Sequence, residues 1–165
     1  MSAAPQRSEA SDLFIPRAQE ALGVAETLLA DATIEVRKRV AVEGDTLNRL
    51  LDREQRATHG LAWLATTVEA LRQLAGWGER LTEQGRFGEI EGLLLQAGFA
   101  EYLAQISGGI PMSQIEVVRP SALGVATADV RRFEDAVADL IEEGSSDVLK
   151  ARLAVLIAEC AGAGA

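Results

Sequence analysis

Several residue types that most folded domains use freely are scarce in this chain of 165 residues. It contains one cysteine, Cys160, and one histidine, His59, and aromatic residues make up only 4% of the sequence. A single cysteine excludes an intrachain disulfide and suits a reducing compartment, so we expect a cytoplasmic protein. One histidine and one cysteine far apart in the sequence cannot supply the ligands of a structural zinc site.

Long apolar runs and excess positive charge are also absent. No apolar run approaches the roughly 18 residues needed to span a bilayer. Residues 1–11 lack the apolar core of a secretory signal. The formal net charge of −9 repels phosphate backbones and anionic lipid surfaces. We therefore expect a protein that binds neither nucleic acid nor membranes.

What the chain does contain is alanine and leucine, the strongest helix formers. Apolar residues make up 48% of the sequence and charged residues 25%, a composition typical of one globular domain. We predict an all-α fold, a helical bundle of about five helices with one long central helix and an irregular strap near residues 108–120. Residues 12–160 would form a single helical domain, with a flexible tail at 1–11 and a linker-like tail at 161–165.

The long central helix is predicted from apolar positions that keep one helical phase from Leu47 to Leu81. An unbroken helix over Asp45–Glu83 would be about 58 Å long at 1.5 Å per residue. That length exceeds the width of a compact domain of this size, so the helix should protrude or bend. Gly60 and Gly76–Gly78 are the expected bending points.

Helical periodicity also predicts the elements on either side. A first helix should begin between Asp12 and Pro16 and end near Gly44. A third should run from Phe87 or Gly88 to Ser107 and end with a left-handed glycine at Gly108–Gly109. Its expected core positions are Ile90, Leu93, Leu94, Ala97, Tyr102 or Leu103, and Ile106.

The C-terminal part is predicted to contain two shorter helices after the strap. Two prolines and several β-branched residues make residues 110–120 extended or only briefly helical. One helix should run from Thr127 to Glu143, and Ser145 or Ser146 should cap the last one. The inward-facing residues expected in the last helix are Val148, Leu149, Leu153, Leu156 and Ile157.

No complete catalytic constellation accompanies these helices. Cys160 lies in an alanine-rich turn with nothing to activate it. The acidic residues between 127 and 143 fall mostly on one face, which is more typical of a solvated surface than of a metal or acid–base site. We expect no catalytic, cofactor-binding or metal-binding residue in this chain, and we expect the chain alone not to be catalytic.

His59 and Trp63 lie one helical turn apart and therefore share a face. The plainer interpretation is a half-buried histidine bonded to a backbone carbonyl, with the indole filling a groove between helices. The alternative is a contact surface for another domain or for an acyl ligand. The residues that this interaction surface would include are His59, Trp63, Trp77, Met112 and Arg119.

Two stretches carry a resemblance to a known family. They are the segment Glu54–Arg72, which contains the run His-Gly-Leu-Ala-Trp-Leu, and the segment Gly108–Gln114, which contains Gly-Gly-Ile-Pro-Met-Ser. Together with Arg119-Pro120, they resemble the N-terminal helical extension of the (2S)-methylsuccinyl-CoA dehydrogenases, a branch of the flavin acyl-CoA dehydrogenases. The resemblance covers most of residues 12–160.

The resemblance implies a role beside a catalytic polypeptide. Enzymes of that family use FAD to oxidise the Cα–Cβ bond of an acyl-CoA, and their catalytic region lies downstream of the extension. By this resemblance the chain is a non-catalytic accessory domain that supports assembly into an oligomer and helps to shape the acyl-CoA site. FAD would be bound by the partner, and acyl-CoA would be met only in the assembled enzyme. The long apolar helix leaves one alternative, an independent helical interaction or dimerisation module.

Overall fold

Helices rich in alanine and leucine account for most of the computed structural model, which describes residues 9–41 and 47–162. The described helices are α1 (Glu9–Val40), α2 (Leu47–Arg53), α3 (Gln55–Glu83), α4 (Glu89–Gly108), α5 (Thr127–Ser145) and α6 (Asp147–Gly162). Between α4 and α5 lie strands β1 (Ile110–Pro111) and β2 (Val117–Val118), followed by a short 3-10 helix (Pro120–Leu123). The predicted all-α bundle is confirmed. In the described part of the chain, no helix is both long and apolar enough to cross a membrane.

The core lies where α1, α3, α4 and α5 pack together, with α3 against both α1 and α4, and α5 against α4 and α1. Two of the few aromatic residues meet there. The ring of Phe14 on α1 packs edge-on against that of Phe99 on α4, with centroids 6.0 Å apart and planes at 85°, a favoured aromatic geometry. The largest fully buried side chains are Phe99, Phe133, Leu64, Leu71, Leu95, Leu103, Ile106, Ile110 and Leu123.

The long central helix is interrupted by a turn at Glu54, so the prediction of one unbroken helix was wrong. The interruption is slight, because the backbone N–H of Glu54 donates to the Leu50 carbonyl at 2.9 Å and that of Thr58 to the Glu54 carbonyl at 2.9 Å. Glu54 is also a position at which the apolar pattern lapses. The predicted start at Asp45 lies outside the described residues.

Gly60 and Gly78, expected as bending points, lie within the uninterrupted helix α3. Both permit close packing instead. A Cβ atom at Gly60 would lie 2.6 Å from Cγ2 of Val118, and one at Gly78 would lie 2.7 Å from Cδ1 of Ile15. These glycines therefore let β2 and α1 approach the backbone of α3.

Both ends of the predicted domain fall inside helices. Helix α1 begins at Glu9, within the predicted tail, and α6 ends at Gly162, within the predicted linker. Residues 1–8 and 163–165 lie outside the described residues, as do 42–46, where the first helix was expected to end. The domain boundaries remain a prediction.

Helix α4 is rotated relative to the predicted core face. Leu94, expected in the core, is 41% exposed, whereas its neighbour Leu95 is fully buried. Any of the three consecutive leucines at 93–95 could be the one buried in the core, and the packing of α4 against α3 and α5 determines which one it is. The helix ends as predicted at Gly108, but Gly109 has φ 123° and ψ 130°, so the expected left-handed cap was wrong.

The irregular strap near residues 108–120 is extended, as predicted. Strands β1 and β2 pair antiparallel, with Ile110 opposite Val118 and Pro111 opposite Val117. Ile110 and Val118 are buried, and the hydroxyl of Ser113 accepts from the backbone N–H of Glu116 at 3.1 Å in the connecting turn. The hairpin therefore holds the strap against the α3 helix at Gly60.

Helix α6 begins at the predicted serine cap, since the backbone N–H of Leu149 donates to Oγ of Ser146 at 3.3 Å. The predicted inward face was wrong for two residues. Val148 is 81% exposed and Ile157 is 50% exposed, whereas Leu149 is buried. Helix α6 packs on α4 and α5, and those two neighbours cover only one side of it.

Candidate interaction surface

His59 and Trp63 form a hydrogen-bonded pair on α3. Their positions one turn apart bring the side chains together, and the indole Nε1 of Trp63 donates to Nε2 of His59 at 3.0 Å. The ring centroids are 6.3 Å apart and the planes are inclined at 46°. Both side chains are exposed, Trp63 to 37%.

This geometry replaces the plainer interpretation of the pair. His59 is exposed rather than half-buried, and its partner is an indole rather than a backbone carbonyl. An indole N–H can only donate, so Nε2 of His59 must be the unprotonated nitrogen, and the proton of the neutral ring lies on Nδ1. The imidazole therefore presents an N–H donor to whatever approaches Nδ1.

Met112 lies next to His59 through the fold of the strap. Both residues line a pocket of about 240 Å³ whose other walls are Gln55, Arg56 and Glu116. Nε of Arg56 lies 3.9 Å from Oε1 of Glu116, a loose and exposed ion pair that contributes little to stability. The pocket combines a thioether, an imidazole and a charged rim.

The other two residues of the predicted surface, Trp77 and Arg119, do not line this pocket. Trp77 lies about 21 Å from Trp63 along α3 at 1.5 Å per residue, and it is partly buried against the core. Arg119 is exposed and runs beside the backbone of Gly109, where an added Cβ would lie 3.3 Å from its Cγ. Of the five predicted residues, His59, Trp63 and Met112 are brought together.

A group of arginines that the sequence did not single out lies at the same end of the bundle. Arg39, Arg53 and Arg56 line a depression of about 330 Å³. Nη1 of Arg39 donates to the Ala122 carbonyl at 3.2 Å, and Nη2 of Arg53 donates to the Arg39 carbonyl at 3.4 Å. These contacts fasten the end of α1 to the 3-10 helix and to α2. Arg56 pairs loosely with Glu116, so all three guanidinium groups have partners.

The largest groove that we describe lies between α4 and α6 and measures about 580 Å³. Glu142 and Glu143 form part of its wall. Hydrogen bonds from Arg17 hold the pKa of Glu143 below its ordinary value, so this carboxylate stays charged. The negative charge of these carboxylates repels the pyrophosphate of a dinucleotide, so these residues do not fit FAD. No step of flavin chemistry is therefore assigned to this chain. In residues 9–41 and 47–162, no three side chains are placed to hold a metal ion.

The exposed apolar residues of α6 were missed as a candidate surface. The signal was present in the sequence, because the apolar residues of this segment fall on every side of a helix. A helix that is apolar all round is typical of a buried element. We interpreted the segment as having a single inward face, and that choice hid the exposed residues.

Comparison with known proteins gives one direct relationship. No family model matches the chain. A (2S)-methylsuccinyl-CoA dehydrogenase of Cereibacter sphaeroides is 44% identical to it over 140 residues, which is 85% of this chain and 25% of that protein. The chain thus spans about a quarter of the length of the relative that it matches. Over most of its length, this chain is therefore similar to one part of a (2S)-methylsuccinyl-CoA dehydrogenase, which confirms the resemblance expected from the sequence.

Proposed function

We propose that this chain is a non-catalytic helical domain of an FAD-dependent acyl-CoA dehydrogenase. It packs on the catalytic polypeptide, supports assembly of the enzyme into an oligomer in the cytoplasm, and helps to shape the acyl-CoA site. The observation that supports this most directly is the 44% identity to a segment that makes up 25% of a dehydrogenase. Three quarters of that relative has no counterpart in the match, and the oxidation of the acyl Cα–Cβ bond belongs there.

The chemistry of the chain is consistent with this division of labour. FAD and acyl-CoA would be bound in the catalytic polypeptide, because the groove between α4 and α6 presents Glu142 and Glu143 to any phosphate group. His59, the one histidine of the sequence, has Nε2 engaged by Trp63 and has no described nucleophile as partner. The chain would contribute surface rather than reacting groups.

The alternative function is an independent helical interaction or dimerisation module. The apolar positions of the long helix first suggested it. In the fold these positions face α1 and α4, and Leu64, Val68 and Leu71 are almost fully buried. They are therefore occupied inside the bundle, and a dimerising surface would have to lie elsewhere.

A graft into the relative tests the proposed function. The matched segment of the Cereibacter sphaeroides enzyme would be replaced by this chain, and a second protein would carry a deletion of the segment. We expect the graft to sediment as the same oligomer as the parent enzyme, to retain flavin and to oxidise (2S)-methylsuccinyl-CoA. The deletion should lose assembly or activity. Unchanged assembly, activity and substrate choice in the deletion protein would overturn the proposal.

The isolated chain provides the second half of the test. A purified 165-residue chain that bound flavin or oxidised an acyl-CoA by itself would contradict a non-catalytic role. Sedimentation of the same sample addresses the alternative, because an independent dimerisation module should form a dimer without the catalytic polypeptide.

We further propose that His59, Trp63 and Met112 contact the catalytic polypeptide or its acyl ligand. Exposed aromatic residues are enriched at protein contacts, and this pair is exposed beside a pocket of about 240 Å³. In the graft, Trp63→Ala should raise KM if the group meets the acyl chain, and should weaken assembly if it meets the protein. Trp77→Phe is the control, since Trp77 lies apart from the group. No change in either quantity would exclude the contact.

A further inference from the structure

Helix α6 has an apolar side that no described element of the bundle covers. Among its large aliphatic residues, Leu149 is buried, whereas Val148, Val155 and Ile157 are 81%, 48% and 50% exposed. The partners α4 and α5 pack on the side that contains Leu149. The opposite side is therefore free.

The free side forms one continuous strip, which we call the α6 outer face. All of its members are exposed: Val148, Ala151, Ala154, Val155 and Ala158. Their spacings of three and four residues place them on a single face of a helix. Lys150 and Arg152 project to its two sides, giving an apolar centre with a polar rim, the usual anatomy of a protein contact.

Apolar surface continues from this face into the neighbouring groove. Val148 belongs to the α6 outer face and also lines the groove of about 580 Å³, together with Leu93 and Leu149. Leu94, one residue along α4 from Leu93, is 41% exposed. The α6 outer face and the groove together offer a broader apolar area than a single helix stripe.

Helix α5 of the same protein shows what a face directed to solvent looks like. Its large apolar residues are all buried or partly buried, and six of its eleven exposed residues are charged: Arg131, Arg132, Asp135, Asp139, Glu142 and Glu143. The α6 outer face carries its charged residues, Asp147 and Glu159, only at its two ends, and the strip between them is apolar. Because the two helices are neighbours in one bundle, this difference marks the α6 face as a surface that is covered in the functional protein.

We infer that the α6 outer face is the surface on which the catalytic polypeptide of the dehydrogenase packs. This inference rests on the proposed function. The relative places three quarters of its chain outside the matched segment, so a large partner region accompanies this domain there. A second copy of the chain is a poorer occupant, because each copy has a net charge of −9 and two copies repel each other.

Cysteine labelling measures directly whether the α6 outer face is accessible to solvent in the assembled enzyme. In a Cys160→Ser background, Val155→Cys would be introduced both in the isolated chain and in the full-length graft. Ile34→Cys is the matched control, since Ile34 lies on α1 and is 51% exposed against 48% for Val155. The rate of maleimide modification at each position would be read by peptide mass spectrometry.

We expect position 155 to react roughly tenfold more slowly, or slower still, in the graft than in the isolated chain, because interface cores pack as densely as protein interiors. Position 34 should react equally in both. Equal rates at position 155 in a graft that is assembled and active would overturn this inference and leave the proposed function standing. If position 155 reacts slowly in the isolated chain and that chain sediments as a dimer, the α6 outer face is covered by a second copy of the chain and this inference is overturned. A graft that neither assembles nor oxidises substrate would overturn the proposed function, and this inference with it.

Discussion

Arg17 and Glu143 form a bidentate ion pair that joins the first part of α1 to the end of α5. Nη1 of Arg17 lies 2.8 Å from Oε2 of Glu143, and Nη2 lies 3.0 Å from Oε1. The paired geometry is the one that arginine and carboxylate favour. Both side chains are about half exposed, at 43% and 50%, so the pair should stabilise the fold by no more than about 1 kcal/mol.

The pair predicts a pH dependence of stability. Hydrogen bonds from Arg17 lower the pKa of Glu143 below its ordinary 4.5, so the folded protein binds this proton more weakly than the unfolded chain. The stabilisation is therefore present above about pH 4.5 and is lost as the pH falls through the lowered pKa. Glu143→Gln should be less stable in urea at about pH 7, and the difference should vanish once the pH is below the lowered pKa. Glu142→Gln is the control. An equal loss of stability in that variant would contradict a specific ion pair between Arg17 and Glu143.

Gly144 should tolerate no side chain. A Cβ atom there would lie 2.4 Å from the backbone oxygen of Gln96 and 2.6 Å from Cβ of Ala100, and neither atom can move aside without shifting α4. We expect Gly144→Ala to lower the free energy of unfolding by about 1–3 kcal/mol. Gly23→Ala, at a helical glycine with nothing within 4 Å, should instead stabilise by about 0.5–1 kcal/mol. Urea unfolding of both variants would decide, and equal effects would contradict the close packing of α4 and α5.

Two adjacent leucines test the rotation of α4. Leu95 is fully buried and Leu94 is 41% exposed. Leu95→Ala should lower the free energy of unfolding by about 2–5 kcal/mol, because it removes buried methyl groups and leaves a cavity. Leu94→Ala should cost far less. Thermal unfolding of the isolated chain provides the comparison, and the reverse order would mean that the predicted core face was right.

The hydrogen bond between Trp63 and His59 should be measurable by a double-mutant cycle. We expect the variants His59→Ala and Trp63→Phe to show a coupling energy of about 0.5–1.5 kcal/mol, toward the lower end because the pair is exposed. A Trp77→Phe background leaves Trp63 as the sole indole. Its fluorescence should then change on His59→Ala, and additive variants with an unchanged spectrum would show that the bond does not form.

Ser146 caps the start of α6, and its hydroxyl also donates to the Glu143 carbonyl at the end of α5 at 2.8 Å. Oγ of Ser146 accepts from the N–H of Leu149 at 3.3 Å, so Ser146→Ala should cost about 1 kcal/mol. The neighbouring hydroxyl of Ser145 donates to the Ile141 carbonyl at 2.6 Å. Loss of such a bond to the preceding turn does not destabilise a helix. Ser145→Ala should therefore cost less. Amide hydrogen exchange of α6 would reveal the difference, and equal protection in both variants would refute the capping role.

The sequence predicts the order and type of the elements because helical periodicity is a local property. The apolar positions of α3, the end of α4 at Gly108 and the cap at Ser146 follow from neighbouring residues. The break at Glu54 was visible as a lapse in the apolar pattern, but the bend was predicted at Gly60 and Gly78 instead. Their actual role, contact with Val118 and Ile15, depends on residues distant in sequence.

Exposure was the quantity that the sequence predicted least well. Spacing placed His59 and Trp63 on one face, but their exposure depends on how the strap packs on α3. Val118 of the strap lies over Gly60, and both side chains stay exposed. In the same way, the three leucines at 93–95 are equivalent until α3 and α5 select one of them. The α6 residues Val148 and Ile157 are apolar, so the pattern placed them inward, yet no element among residues 9–41 and 47–162 covers them.

The packing of α1 against helices distant in sequence has a consequence for biosynthesis. This helix packs against α3, α4 and α5, and its contact from Arg17 to Glu143 spans 126 residues of sequence. At roughly 5–20 residues per second of translation, about 6–25 seconds separate the two ends of that contact. Helix α1 therefore completes its packing only after α5 has been synthesised, and the part of its apolar side that faces α5 stays open to chaperones in the interval.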